Sequence, residues 1–498
     1  MNAQQILSGL GWSTFATMVS AACQVVFMAV LARLLDPAAF GLMAMAAIAL
    51  RFAGYFSQLG FAQALIQRPS LEPEDTTAAL LMATALGVAL SGAMALASPL
   101  VAQAFRAPEL APLVAVLGLS LLLAPLGGLP LALLRRAARF KRVNAIEVVA
   151  YVAGYGVVGI ACAARGLGVW SLVAATLSQQ ALLLALGFAA MRYPLCWPVR
   201  REAFARLGSF GARYSLIGFV EFLGGNIETL IVGRLFGKAD LGLLNRAGTL
   251  TNLPVELGVG AVNKVLFPAL SGLQHDRLRL ADGFQMLLLS VGLFSTAMAC
   301  GIAAGAPDVV PLVLGAKWLG IVPLVTVLAL AVPPTFLFVA CGVTLDSLAA
   351  LGPKLRLQLL ALALRVVLVL ALARWQLEGV ALAVVLTELL RLVLGLRVVG
   401  RLLEIAPAAL GRLLLLSAAT GVAVWSAVAA TLAGTAAAGL PLPARVLLEF
   451  LAGALALAAA LLVLAVRFQD YRPLQRFDTV RRWHLRLVAA IHPRAVLP

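Results

Sequence analysis

What most constrains this chain is a succession of apolar stretches, each about 20 residues or longer, that follow one another from Leu10 to Val466 with only short polar or basic breaks. A helix of that length crosses the hydrocarbon core of a bilayer, and within lipid each segment must satisfy its own backbone hydrogen bonds. Hydrophobic residues make up 62% of the 498 positions and charged residues 12%, a balance that excludes an aqueous globule. Breaking the runs at proline, glycine and charge clusters predicts helices near 10–33, 39–65, 77–101, 111–134, 143–163, 168–190, 209–234, 240–271, 283–305, 319–345, 355–373, 379–399, 409–433 and 444–466. The expected fold is an all-α polytopic membrane protein of about fourteen transmembrane helices.

The net charge of +17 is read first as topology. With both termini on one side, the loops of that side carry Arg68, the cluster Arg135 to Arg142, Arg192, Arg200, Arg201, Arg206, Arg277, Arg279, Lys354, Arg356, Arg397, Arg401, Arg412 and the tail arginines from Arg467 to Arg494. The opposite loops carry only Arg33, Arg106, Arg165, Arg234, Lys238, Lys317, Arg374 and Arg445, so both termini are assigned to the cytoplasm. The start, MNAQQILSGLGW, lacks lysine and arginine, and the apolar run behind it exceeds a signal-peptide core; the first span is read as uncleaved. The basic tail after Arg467 suits either an interfacial helix on the anionic leaflet or a solvated segment. Five scattered cysteines read as packing residues, and the three histidines fall in a loop or the tail, so no metal or cofactor is expected. No loop has room for a catalytic or nucleotide-binding domain and no Walker A pattern occurs, which argues against an enzyme, while the basic excess, explained as topology, calls for no nucleic acid as a partner.

An offset of 201 residues lays VLARLLDPAAFGLMAM, Val30 to Met45, on IVGRLFGKADLGLLNR, Ile231 to Arg246, matching Arg33 with Arg234, Leu34 with Leu235, Ala38 with Ala239, Gly41 with Gly242 and Leu42 with Leu243. Both copies sit where one span ends, turns and begins the next. Six helices separate them, which preserves orientation and implies parallel repeats. The expected organisation is an N-lobe over 1–190, a cytoplasmic linker over 191–208, a C-lobe over 209–399, two further helices over 400–466 and a basic tail over 467–498.

Ionisable and polar groups inside spans are expensive and mark candidate sites. Ser13, Thr17, Ser20 and Gln24 share a face of the first span; Arg51, Tyr55 and Gln58 share one on the second. On the seventh, Arg213, Glu221 and Glu228 align while Asn226 points away. On the eighth, Arg246, Thr249, Glu256 and Lys264 form a stripe edged by Asn245, Asn252 and Asn263, with a kink at Pro254. These are the first two helices of each lobe, as a central cavity shared by two pseudo-symmetric halves would require. Interhelical hydrogen bonding is the competing role for the hydroxyls, whereas Arg51, Arg246 and Lys264 have no inexpensive packing role. Glu388 and Arg391, at i and i+3, read as a local ion pair, with Glu147 and Arg365 as further in-span charges. The last two spans, nearly all Leu, Ala and Val apart from Arg412, Arg445 and Glu449, are expected to face lipid or a lipid tail.

The opening GWSTFATMVSAACQVVFMAVLARLLDPAAFGLMAMA and the segment VNKVLFPALSGLQHD, Val262 to Asp276, resemble the Wzx-type polysaccharide flippases of the multidrug/oligosaccharidyl-lipid/polysaccharide exporter superfamily. The resemblance implies two six-helix lobes plus two C-terminal helices, and transport of undecaprenyl-pyrophosphate-linked oligosaccharide across the inner membrane by alternating access. The product would be exopolysaccharide, capsule or O-antigen of lipopolysaccharide, with a polysaccharide polymerase and export machinery as possible partners. On that reading Arg51, Arg246 and Lys264 hold the pyrophosphate, and Tyr55, Gln58, Gln24, Ser20, Thr17 and Asn252 contact sugar; these roles come from helix faces, not from a family motif. The alternative is a Na⁺- or H⁺-coupled multidrug exporter of the same fold, with Glu221, Glu228 and Glu256 as coupling acids.

Overall fold

Prolines open several helices at the first turn, where a missing N–H leaves nothing unsatisfied: Pro37, Pro73 and Pro407 each begin one. The computed structural model describes residues 3–58, 65, 71–191, 195–197, 225–252, 276–348 and 350–467; for 3–18, 55–58, 351 and 465–467 the backbone alone is described. Among these residues every regular element is helical. Ten stretches are long and apolar enough to cross a membrane, one of which, Gly352–Leu402, contains two helices. The chain is therefore an all-α, multi-pass membrane protein, as expected, while the described residues do not fix the count at fourteen because the seventh and eighth spans lie partly outside them.

The chain divides into two compact units, Met1–Asn245 and Arg246–Pro498. The first holds α1 (Ala3–Leu34), α2 (Pro37–Gln58), α3 (Pro73–Phe105), α4 (Leu110–Leu117), α5 (Ser120–Arg136), α6 (Phe140–Tyr151), a π-helical segment (Val152–Gly159), α7 (Ile160–Ala164) and α8 (Trp170–Ala190). Two further helices, α9 over 225–235 and α10 over 238–252, follow, and the boundary between the units falls within α10. In this unit α1 leans on α6, the π segment and α7, whereas α2 packs against α3, α4 and α5. The start of α3 is fixed by a capping box, with the Glu72 and Asp75 side chains each meeting the other's backbone nitrogen, so the helix begins at Pro73 rather than near 77.

The repeated segments meet. A Cβ on Gly41 would overlap the carbonyl oxygen of Lys238, and a Cβ on Gly242 would overlap that of Pro37. Each hypothetical Cβ also comes 3.1 Å from the amide nitrogen of the other glycine. The four positions are related pairwise by the same 201-residue offset, so the contact has the reciprocity of a local two-fold. Only glycine lets the two backbones approach this closely.

The second unit holds α11 (Arg277–Val313), a 3₁₀ turn (Ala316–Ile321), α12 (Val322–Ala329), α13 (Val332–Ser347), α14 (Leu351–Leu372), a 3₁₀ turn (Ala373–Trp375), α15 (Gln376–Leu402), α16 (Pro407–Ala437) and α17 (Leu442–Arg467). Asp276 caps α11 by accepting from the Arg279 amide. The core forms where α11, α13, α15 and the start of α16 converge, with Leu280, Phe284, Leu288, Phe336, Cys341 and Leu396 buried. Further along, α11 lies against α16 and α17.

One boundary differs in a consequential way. The sequence reading ends the ninth span at 305, before two prolines, yet α11 continues through Pro307 and Pro311 to Val313. Prolines are tolerated in membrane helices because neighbouring groups satisfy the freed carbonyls. Asp308 is consequently a buried helix residue rather than a loop residue.

Candidate functional site

Among the expected site residues, Arg51 lies on α2 with its side chain exposed, about 21 Å from the helix start at 1.5 Å per residue. Gln24 on α1 is also exposed, and Ser20 is half-buried. Because α1 and α2 pack on different neighbours, the two polar faces belong to separately supported helices rather than to one tightly packed pair. Thr17, Tyr55 and Gln58 are placed on helical backbone without described side chains. On α9 Glu228 is half-buried; on α10 Arg246 and Thr249 are half-buried and Asn252 is exposed. Glu221, Glu256, Lys264, Arg213, Asn263 and Pro254 lie outside the described residues.

The structure adds aromatic groups beside the first of these faces. The rings of Tyr151 and Tyr155 stack with centroids 5.0 Å apart, and Phe27 of α1 lies 5.8 Å from Tyr151. The Tyr155 hydroxyl is 3.0 Å from that of Thr176 on α8. Tyr155 falls inside the π-helical segment, a distortion common at functional positions, and its i, i+4 spacing from Tyr151 was the available sequence signal. Aromatic faces with a polar edge suit sugar contact in the same way as the tyrosine already singled out on α2.

Two charge clusters in the second unit bring together residues distant in sequence. Glu388 of α15 accepts from both Arg391 and Arg365, so Arg365 on α14 is a partner in the expected local pair rather than a separate charge. The Arg391 guanidinium also lies over the Phe338 ring, 4.3 Å from its centroid. Glu388 is almost fully buried, and two guanidiniums on one carboxylate leave the cluster cationic. In the second cluster Arg445 Nη2 of α17 donates to Asp308 Oδ1 of α11 at 2.6 Å, and Glu449 lies one turn along from Arg445. Arg445 and Glu449, at i and i+4, are a readable helical pair; their partner Asp308 was hidden by the shortened ninth span.

Outside the membrane-spanning segments, Glu109 accepts from the Lys238 ammonium, which holds the Glu109 carboxyl below its usual range. That link ties the turn after α3 to the start of α10, next to the Gly41–Gly242 contact. Arg135 at the end of α5 donates to Glu147 of α6 at 2.6 Å, an exposed pair. The last helix is exposed along Leu447, Phe450, Leu451, Leu455 and Val463, as a lipid-facing helix would be.

A family model described as "Polysaccharide biosynthesis protein" matches residues 30–323. Lipopolysaccharide biosynthesis protein WzxC of Escherichia coli (strain K12) is 27% identical over 328 residues, covering 65% of this chain and 66% of that protein. Teichuronic acid biosynthesis protein TuaB of Bacillus subtilis (strain 168) is 28% identical over 338 residues, covering 66% of this chain and 68% of that protein. The matched stretch thus spans about two thirds of the length of these relatives. Among solved structures, the lipid II flippase MurJ in an inward closed conformation superposes with a TM-score of 0.71 at 12% identity, over 92% of this chain and 98% of that one. At that identity the likeness is one of fold.

Proposed function

Because this chain belongs to the polysaccharide biosynthesis protein family, we propose that it is a flippase carrying undecaprenyl-pyrophosphate-linked oligosaccharide across the cytoplasmic membrane by alternating access. The observation that carries the reading is Arg51, an exposed guanidinium on a helix otherwise composed for lipid. A cation in such a position is costly unless an anion or water meets it, and a pyrophosphate headgroup supplies two phosphates for charge-assisted hydrogen bonds. Arg246 and Lys264 are proposed as further phosphate partners, with Ser20, Thr17, Gln24, Tyr55, Gln58 and Asn252 contacting the sugars. The polyprenyl chain remains in lipid. Charge distribution among the loops supports a cytoplasmic-membrane location with both termini inside. A polymerase and export machinery are proposed to receive the product. The charge character of the proposed contacts suits an anionic lipid-linked glycan better than a cationic drug, which is why the multidrug reading stands second. Glu228 of that reading, with Glu221 and Glu256, is retained as a proposed coupling group.

The test uses full-length protein in liposomes and follows the leaflet position of a fluorescent undecaprenyl-pyrophosphate oligosaccharide. Wild type moves the lipid, and Arg51→Ala and Arg246→Ala lose movement while remaining monodisperse. Failure of wild type to move it, together with extrusion of a cationic dye under a Na⁺ or H⁺ gradient, overturns the proposal and moves attention to Glu228.

A further inference from the structure

Tyr151 and Tyr155 stand where a tyrosine has no anchoring role. They lie roughly 16 to 22 Å from the start of the 25-residue span Phe140–Ala164, near its middle, whereas tyrosines that anchor a helix gather at the two membrane surfaces. A phenol at that depth needs a hydrogen-bond partner that a phenylalanine ring would not. Thr176 Oγ1 donates to the Leu172 carbonyl at 2.9 Å, so the 3.0 Å contact between the two hydroxyls is donated by Tyr155, whose oxygen keeps its acceptor positions.

The rings belong to one surface built by α1, α6 with its π-helical continuation, and α8. Phe27 of α1 follows Ser20 by two helical turns and so shares its face, with the exposed amide of Gln24 between them. The Phe27 ring reaches Tyr151 and is seated by Gly156 of the π-helical segment, where a Cβ would come 2.6 Å from a ring carbon. The same segment turns Gly154 and Gly159 toward α8, where a Cβ would come 2.7 Å from Gln179 Cβ and 2.9 Å from Ala175 Cβ, respectively. Aromatic contacts thus run from the polar stripe of α1 to the Thr176 hydroxyl. All three aromatic residues are half-buried, which leaves part of each accessible.

The surface is uncharged. On α1 no charged residue precedes Arg33, none follows Glu147 as far as Ala164, and α8 carries none from Trp170 to Ala190. Glu147 itself is taken up by Arg135. Such a surface offers no counter-charge to a pyrophosphate or a sugar acid. Aromatic faces edged by hydroxyl and amide groups instead match a neutral hexopyranose, whose axial C–H bonds form an apolar face and whose hydroxyls project from the rim. Taking the flippase reading as premise, we infer that Phe27, Tyr151 and Tyr155 form a stacking platform for a neutral hexopyranose of the transported glycan. Tyr155, Gln24 and Ser20 meet its hydroxyls, and the phosphates are held elsewhere.

The experiment measures binding of three lipids to full-length protein by microscale thermophoresis, in a detergent without a sugar headgroup. The probes are undecaprenyl pyrophosphate carrying a β-glucose tetrasaccharide, the same lipid carrying a β-glucuronate tetrasaccharide, and undecaprenyl pyrophosphate alone. Wild type binds the glucose lipid about tenfold more tightly than the bare lipid, and the glucuronate lipid no more tightly than the bare one. Tyr151→Leu combined with Tyr155→Leu removes the gain and leaves bare-lipid affinity unchanged, while Tyr155→Phe, which keeps the ring, retains most of it. Equal binding of glucose and bare lipids by wild type overturns the inference, as does a gain that survives in the double leucine variant or extends in full to glucuronate. Loss of bare-lipid affinity together with the gain marks the tyrosines as packing alone and overturns it too. If the double variant is not monodisperse, saturation-transfer NMR decides, on Tyr55→Phe protein that is deuterated except at its tyrosines. Transfer from tyrosine rings to glucose C–H protons supports the platform, and its absence rejects it. Leaflet exchange of the glucose lipid in liposomes separates the two readings. Exchange by wild type without a tyrosine-dependent gain rejects the platform and keeps the flippase, whereas a tyrosine-dependent gain without exchange keeps the platform and rejects the flippase.

Discussion

Gly41 and Gly242 lie back to back, the amide nitrogen of each 3.1 Å from the place where a Cβ on the other would stand. The atoms in the way are backbone carbonyls of Lys238 and Pro37, which cannot rotate aside as a side-chain end would. Gly41→Ala and Gly242→Ala are therefore each expected to destabilise the protein by about 1–3 kcal/mol, the usual cost of overpacking. Thermal unfolding in detergent measures this, with Gly128→Ala as control, since nothing lies within 4 Å of a Cβ there. Equal melting temperatures in all three variants would show that the backbones separate freely.

Glu388 holds two guanidiniums at once, so its removal is expected to cost more than the loss of either arginine. Glu388→Gln leaves Arg365 and Arg391 facing each other in a largely buried site, and breaking such a cluster costs about 3–5 kcal/mol. Arg365→Met in the same chain recovers part of that loss by removing one of the stranded charges. Unfolding of the single and double variants checks the order, and a double variant less stable than Glu388→Gln would reject it.

For Arg51 the expected loss is in transport, not in folding, because the side chain is exposed and holds no buried packing position. A charged hydrogen bond contributes about 1.5–3 kcal/mol, which is tenfold to a hundredfold in the rate of leaflet exchange. Arg51→Lys keeps part of the activity by retaining the charge, and Arg51→Ala does not. Comparable rates for Arg51→Ala and wild type would remove Arg51 from the substrate path.

The Glu109–Lys238 pair gives a pH dependence of defined sign. The Glu109 carboxyl is held below its ordinary value by the Lys238 ammonium, so the pair's contribution is present at neutral pH and is lost as the medium is acidified through the lowered value. Both groups are well exposed, which limits the contribution to about 1 kcal/mol at most. Lys238→Met should lower the melting temperature slightly at pH 7 and leave it unchanged once Glu109 is protonated in both proteins. A difference that grows on acidification has the wrong sign and would rule out this pair as its source.

The helices were legible because each is a local property of the chain. A run such as Trp170 to Ala190 needs only enough apolar side chains to reach across lipid, and prolines at positions 37, 73 and 407 mark where helices start. The repeat was legible for the same reason: Gly41 and Gly242 occupy matching positions in two similar segments. Proline as a helix end was the misleading signal, and at Pro307 it hid Asp308, since in a membrane helix the neighbours compensate the missing N–H.

Sequence by itself determined that this chain is a multi-pass helical membrane protein, which faces of its helices are polar, and where its glycines recur. Tertiary structure decided which charges meet. Asp308 and Arg445 are 137 residues apart and share a hydrogen bond, and Arg365 reaches Glu388 across 23 residues. The helical period fixes neighbours within one helix, three or four residues apart. Partners on different helices are fixed by how those helices pack, which is what brings Asp308 of α11 against Arg445 of α17.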